Sequence, residues 1–267
     1  MSLDRLAPLR HRNRWQPTGS PGDNGQPALI DLGRPHLPPR PAIVPAEPTS
    51  IQLDITRTAL VVVDLQNDFC TPGGWLDGIG VDVSGLAPAV ESTARLVPAA
   101  RRAGIPVIWL NWGNRVDQAN IPPGVAHVYD PTGAGEGIGY LLPGKESRVL
   151  LKDSWGAAPV TGLTIGPDDI QIDKYRMSGF WDTPLDSVLR NLRVDAVLFA
   201  GVNSDQCVYA TLIDAACLGY DVVLLTDASA TTSPGFCHDA TVYNTRQCFG
   251  FTTTTPELLD ALKEADS

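Results

Sequence analysis

Val197-Leu198-Phe199-Ala200-Gly201-Val202-Asn203-Ser204-Asp205-Gln206-Cys207 is the stretch from which the fold of this 267-residue chain is read. Residues 197–201 form an apolar run without polar alternation, which indicates a strand covered on both faces. Residues 202–206 have the composition of a tight turn, and residues 207–218 follow as a helix, so Cys207 falls in a helix's first turn. Backbone N–H groups lacking intrahelical partners and the positive end of the helix dipole favour an anion there. Such settings lower a cysteine pKa by about one to several units, so the position favours thiolate. Asp64 and Lys174, each closing another apolar run (59–63 and 170–173), are the partners that a nucleophile at Cys207 needs. Carboxylate, ammonium and thiol are expected to meet at one edge of a sheet.

Outward from that stretch, strand-like segments at 59–63, 106–110, 170–172, 196–200, 221–225 and 250–254 alternate with helix-like segments at 86–103, 184–191, 207–218, 237–248 and 256–265. This alternation predicts an α/β fold: a doubly wound, Rossmann-like, mostly parallel six-stranded sheet with helices on both faces. Ligands bind such sheets outside the carboxyl ends of the strands, where Asp64, Lys174 and the turn before Cys207 all fall. Residues 111–168 are rich in Gly and Pro and too long for an ordinary connection, which points to a lid or binding loop. Residues 1–56 differ from the rest: they hold ten of the 23 prolines, and all six of their basic residues are arginines. Arg34-Pro35-His36-Leu37-Pro38-Pro39-Arg40-Pro41 suits polyproline II, so 1–56 reads as a Pro-rich extended arm ahead of one domain at 57–267. Trp15, Leu29, Ile30, Leu32, Ile43 and Val44 give parts of that arm the means to dock on the body or on a neighbouring subunit.

The formal charge of −10 offers no basic stripe for nucleic acid or an anionic membrane. No run approaches the roughly 18 apolar residues of a membrane span. Five cysteines (Cys70, Cys207, Cys217, Cys237, Cys248), an odd count without a disulfide framework, fit a reducing cytoplasm. His11, His36, His127 and His238 have no metal-ligand spacing, and neither a metal nor another cofactor is expected.

Val63-Asp64-Leu65-Gln66-Asn67-Asp68-Phe69, then Lys174 with Ser178-Gly179-Phe180 and Thr183-Pro184-Leu185-Asp186 behind it, then Gly201-Val202 and Cys207-Val208, resemble the isochorismatase-like cysteine hydrolases. The resemblance covers about residues 57–262 and includes the 33-residue step from Lys174 to Cys207. Gly73-Gly74-Trp75-Leu76, Ser154-Trp155 and the run 178–186 look most like its ureidoacrylate amidohydrolase branch, with biuret hydrolases nearby.

The resemblance implies an isochorismatase-like hydrolase fold and a small amide, carbamoyl or ureido substrate. Cys207 would attack the carbonyl, Asp64 would shuttle protons, and Lys174 would balance charge. Backbone N–H groups of Asn203 and Cys207 would receive the oxyanion, with a cis peptide between Val202 and Asn203 aiming the first inward. The family's habit of forming dimers or tetramers implies a homodimer or homotetramer. A pocket is expected from Phe69, Asn111, Trp112, Asn114, Tyr175, Met177, Trp181, Tyr209 and Asn244, with His127 a weaker candidate. Trp112-Gly113-Asn114 and Met177 depart from the branch's pattern, which separates the reaction class from the identity of the substrate. Vinyl-ether hydrolysis of the isochorismatase type, which proceeds without the cysteine, hydrolysis of another small amide (nicotinamide-like or aryl amide), and a catalytically silent binding protein on the same fold are the alternatives.

Overall fold

A computed structural model describes residues 16–265 apart from residues 23, 24 and 35, so Trp15 and His11 lie outside the described residues. Two antiparallel pairs open the chain: β1 (Gln16–Pro21) with β2 (Pro27–Asp31), and β3 (Pro41–Val44) with β4 (Ile51–Asp54). Then come β5 (Thr58–Val63), the short helices α1 (Asn67–Cys70) and α2 (Trp75–Gly78), α3 (Ala87–Ala103), β6 (Val107–Trp112), α4 (Pro123–Tyr129) and β7 (Ile170–Lys174). The chain continues through α5 (Leu185–Asn191), β8 (Ala196–Gly201), α6 (Tyr209–Cys217), β9 (Asp221–Ser229), α7 (Gly235–Asn244), β10 (Phe251–Thr253) and α8 (Thr255–Ala265).

The six strands from β5 onward form one parallel sheet in the order β10-β9-β8-β5-β6-β7. From β5 the chain winds outward to β7, returns to β8 on the other side of β5, and winds outward again. The winding direction reverses beside β5, and right-handed crossovers then put the two sets of helices on opposite faces. β5 and β8, the central strands, are buried along their whole length, as their unbroken apolar runs require.

Gly201 joins β8 to the turn before Cys207. Its φ is +128°, and a Cβ there would lie 2.0 Å from the Val63 carbonyl oxygen, so glycine alone lets the ends of β8 and β5 approach this closely.

The segment read from sequence as an extended arm contains four strands. Proline dominates the composition, but alternation decides 41–54: Ala42, Val44 and Leu53 turn inward and are buried, while Ile43 is exposed. Glu47 exchanges two backbone hydrogen bonds with Thr252 (2.8 and 3.0 Å), covering the free edge of β10. Further upstream, the Arg34 guanidinium donates to the Asn191 carbonyl at 2.8 Å, while Leu29, Ile30 and Leu32 are exposed.

Gly201→Ala is expected to cost about 3 kcal/mol or more, since both the backbone conformation and the contact with β5 oppose a side chain. Urea unfolding measures it, and a loss below about 1 kcal/mol would show that the junction can relax.

Candidate active site

Each element of the site begins where a strand ends. Beyond β5, Asp64 adopts a left-handed backbone (φ +49°), uncommon for a residue with a side chain, and takes the chain out of the ladder. Gln66 braces this bend. Fully buried, it donates to the carbonyls of Trp112 (2.8 Å) and Ala157 (2.7 Å) and accepts from the Trp112 N–H (2.8 Å).

Lys174 ends β7, two strands from β5, a separation of about 10 Å at ordinary strand spacing. Its side chain crosses the end of β6 with the ammonium 4.3 Å from the centre of the Trp112 ring and 2.7 Å from Asp64 Oδ2. Both partners of this ion pair are at most 1% exposed.

Cys207 follows β8 in a helical turn of the wide, i→i+5 type. The sequence reading started an α-helix at this residue; the helical run instead starts at Ser204 as a π turn, and α6 takes over at Tyr209. The Asn203 carbonyl accepts from both Gln206 N–H (3.0 Å) and Val208 N–H (3.3 Å), which widens the turn. Such turns recur at functional sites. The Val202–Asn203 peptide is cis. Asn203 Oδ1 accepts from the Thr232 N–H, and the buried Ser204 hydroxyl lies 2.9 Å from His238 Nδ1, so the turn is held from α7 as well.

Burial governs ionisation here. The Cys207 thiol is pushed up to about 12 by burial; Lys174 pulls the other way and Asp64 adds to the rise. The pull toward thiolate that the helix start and the lysine exert is thus outweighed by desolvation. Burial also raises the Asp64 carboxyl against the pull of Lys174. For Lys174, burial alone favours the neutral amine, but the Asp64 carboxylate and the Cys207 sulfur outweigh it and keep the ammonium charged. Burial thus opposes charge on both the thiol and the carboxyl, while the lysine keeps its charge.

The remaining expected residues divide. Met177 comes to the site, its Sδ 3.7 Å from Cys207 Sγ, and remains 38% exposed. Trp112 is buried beneath the Lys174 ammonium and donates through its indole to Asn114 Oδ1 (3.1 Å), leaving the buried Asn114 Nδ2 without a partner among the described residues. Phe69 is buried edge-on to Trp75 at 6.2 Å. Tyr175 is half-buried, with the Arg176 guanidinium over its ring. Asn111 precedes Trp112 in β6 and takes the opposite face of the strand, so it does not join the site. Tyr209, two residues after Cys207, leaves the helix on another side; it pairs with Asn244 and packs edge-on to Phe249. Trp181 is 64% exposed and donates to Asp214 on the outer side of α6, which removes it from the pocket. His127 is exposed on α4.

Two contributors escaped sequence reasoning. Gln66 was read only as part of a motif. Tyr129 ends α4 inside the long connection, and its ring stacks on Trp75 (5.2 Å) and tilts against Trp112 (5.4 Å). Pro122-Pro123 ahead of an apolar run was the available signal, since proline favours a helix's first position. Among the described residues no group of three His, Cys, Asp or Glu side chains is placed to hold a metal ion, and no helix is long and apolar enough to cross a membrane.

The isochorismatase domain family model matches residues 58–257. Ureidoacrylate amidohydrolase RutB of Methylobacterium radiotolerans is 39% identical over 211 residues, 78% of this chain and 81% of that protein. The same enzyme from Methylorubrum extorquens is 36% identical over 208 residues, 78% and 84% of the two chains. Among solved structures, a cysteine hydrolase from Pseudomonas syringae pv. phaseolicola is similar with a TM-score of 0.67 and 28% identity, over 80% of this chain and 95% of that one. The N-carbamoylsarcosine amidase of Thermoplasma acidophilum is similar with a TM-score of 0.56 and 25% identity, over 75% and 98%.

Two measurements follow from this electrostatic arrangement. Alkylation of Cys207 by iodoacetamide in the free protein is expected to rise about tenfold per pH unit from pH 7 to pH 10 without a plateau, since the thiolate fraction grows until the thiol's pKa near 12. A plateau below pH 8 would mean a resting thiolate. Lys174→Ala strands a buried carboxylate and is expected to cost about 3–5 kcal/mol in urea unfolding. Adding Asp64→Asn should recover part of that loss; strict additivity of the two losses would show that the groups do not interact.

Proposed function

The chain belongs to the isochorismatase family, and from that premise we propose that it is a cysteine-dependent amidohydrolase cleaving a C–N bond of a small ureido acid or related carbamoyl compound. The observation that carries this reading is the buried Asp64–Lys174 pair facing Cys207 at the carboxyl edge of the sheet. The curated relatives, named for ureidoacrylate, support the substrate class. A structural neighbour named for N-carbamoylsarcosine is consistent with a carbamoyl group at the reacting carbon.

In the first half-reaction the Cys207 proton passes to Asp64 as Sγ bonds to the ureido carbonyl carbon. A carboxylate whose proton affinity is raised by burial suits this transfer, and the nearby Lys174 ammonium stabilises the negative charge that develops on sulfur before the S–C bond closes and the charge passes to the carbonyl oxygen. The tetrahedral oxyanion forms at the turn that carries the Asn203 and Cys207 N–H groups, each donor contributing about 3–4 kcal/mol in comparable sites. Collapse breaks the C–N bond, Asp64 returns the proton to the leaving nitrogen, and an S-carbamoyl thioester remains on Cys207. In the second half, Asp64 takes a proton from water; hydroxide adds to the thioester, the C–S bond breaks, and the proton returns to sulfur. The released carbamate decomposes to ammonia and carbon dioxide.

Ammonia release from ureidoacrylate, biuret, N-carbamoyl amino acids, nicotinamide and simple aryl amides tests the proposal. Turnover is expected from a ureido or carbamoyl compound, with Cys207→Ala slower by about ten-thousandfold or more. Silence on every ureido and carbamoyl compound beside activity on an aryl amide would overturn the substrate class, and full activity of Cys207→Ala would overturn the nucleophile.

A further inference from the structure

One buried hydroxyl joins the turn that carries Cys207 to the segment that follows Lys174. Thr211 lies one helical turn after Cys207, near the start of α6, and is fully buried. Its Oγ1 donates to the Cys207 carbonyl at 2.6 Å and accepts from the Gly179 N–H at 3.0 Å. The first bond is ordinary for a threonine in a helix, which reaches back to the carbonyl four residues earlier. The second is not local. Gly179 lies 32 residues upstream, in the buried stretch that Lys174 and Met177 lead into.

Both ends of this link are fixed. The Cys207–Val208 peptide is held from two sides, its carbonyl by Thr211 and its N–H by the Asn203 carbonyl at 3.3 Å. A wide turn lacks the regular α-helical ladder, so these two bonds set the direction in which residue 207 faces. At the other end, Gly179 seats its backbone on β6: a Cβ there would lie 2.2 Å from Leu110 Cδ2, and Leu110 is fully buried. The Gly179 carbonyl accepts from the Thr183 hydroxyl, whose oxygen accepts from the Leu185 N–H at 3.1 Å where α5 begins. Trp181 Nε1 donates to Asp214 Oδ2 at 2.7 Å, so the segment is clamped to α6 at two places. Met177, just ahead of this clamp, places its Sδ 3.7 Å from Cys207 Sγ.

We propose that Thr211 is a positioning residue: its hydroxyl fixes the Cys207 peptide against the segment 174–179 and thereby sets the stance of the sulfur toward Asp64, Lys174 and Met177. The proposal rests on the reading of Cys207 as nucleophile. Without the hydroxyl, the buried Gly179 N–H and Cys207 carbonyl each lose a partner, and the two segments shift to recover one. A displacement of about 1 Å at reacting atoms costs up to about a hundredfold in rate. Substrate contacts made elsewhere are kept, so the loss falls on kcat and spares KM.

Thr211→Val keeps the shape and removes the hydroxyl, Thr211→Ala removes the methyl as well, and Thr211→Ser retains both hydrogen bonds. Circular dichroism checks each fold, and Thr211→Ala carries the comparison if Thr211→Val does not fold. With the ureido or carbamoyl compound that the wild type turns over, Thr211→Val is expected to lose about thirtyfold in kcat with KM within about twofold, and Thr211→Ser to stay within about threefold of wild type. Iodoacetamide labelling of Cys207 at fixed pH needs no substrate; it is expected to accelerate at least about fivefold in Thr211→Val and Thr211→Ala, as Met177 withdraws from the sulfur, and to keep the wild-type rate in Thr211→Ser. Wild-type kcat in the folded hydroxyl-free variants, whatever their stability in urea, would overturn the proposal, as would a loss in Thr211→Ser as large as in Thr211→Val. Full activity of Cys207→Ala, or turnover of no amide by the wild type, would instead sink the nucleophile reading. The labelling rates then still decide whether Thr211 holds the thiol in place, and wild-type labelling in both hydroxyl-free variants would show that it does not.

Discussion

The candidate site is built around one charge pair carried across the sheet. Asp64 and Lys174 leave strands that are not neighbours, and the ammonium reaches the carboxylate only by passing over the end of β6 and the Trp112 ring. Two buried charges are costly apart, so each acts on the other: the lysine opposes the rise that burial imposes on the carboxyl, and the carboxylate keeps the lysine charged. Trp112 supports the bridge from below, Gln66 ties Trp112 to the bend after Asp64, and Tyr129 presses on Trp112 from outside.

The thiol was placed in this arrangement without being ionised by it. A helix start and a neighbouring lysine both favour thiolate, yet burial prevails and Cys207 rests protonated. In the proposed mechanism, a thiol beside a carboxylate of raised proton affinity becomes a nucleophile as substrate arrives to receive the charge.

Much of this was legible in the sequence because the signals are local. Unbroken apolar runs mark β5 and β8, and Asp64, Lys174 and Cys207 sit at strand ends, where a doubly wound sheet gathers its ligands. What could not be read depends on contacts between distant segments. The protonation of Cys207 follows from burial, which no short stretch encodes. Asn111 and Trp181 look like pocket residues by type, but strand alternation turns the first away and the Asp214 carboxylate holds the second outside. Proline-rich composition concealed the hairpin that closes the β10 edge, since alternation over only four residues per strand is a weak signal. Tyr129 acquires meaning only when the connection folds back on Trp75 and Trp112.

Rapid acid quenching during turnover of a ureido compound, followed by mass analysis of the peptide carrying Cys207, tests the central chemistry most directly. Covalent catalysis predicts a carbamoyl increment on that cysteine, present during turnover, gone when substrate is exhausted, and absent from Cys207→Ala. Steady turnover with Cys207 unmodified at every quench time, or an increment on a different residue, would contradict it.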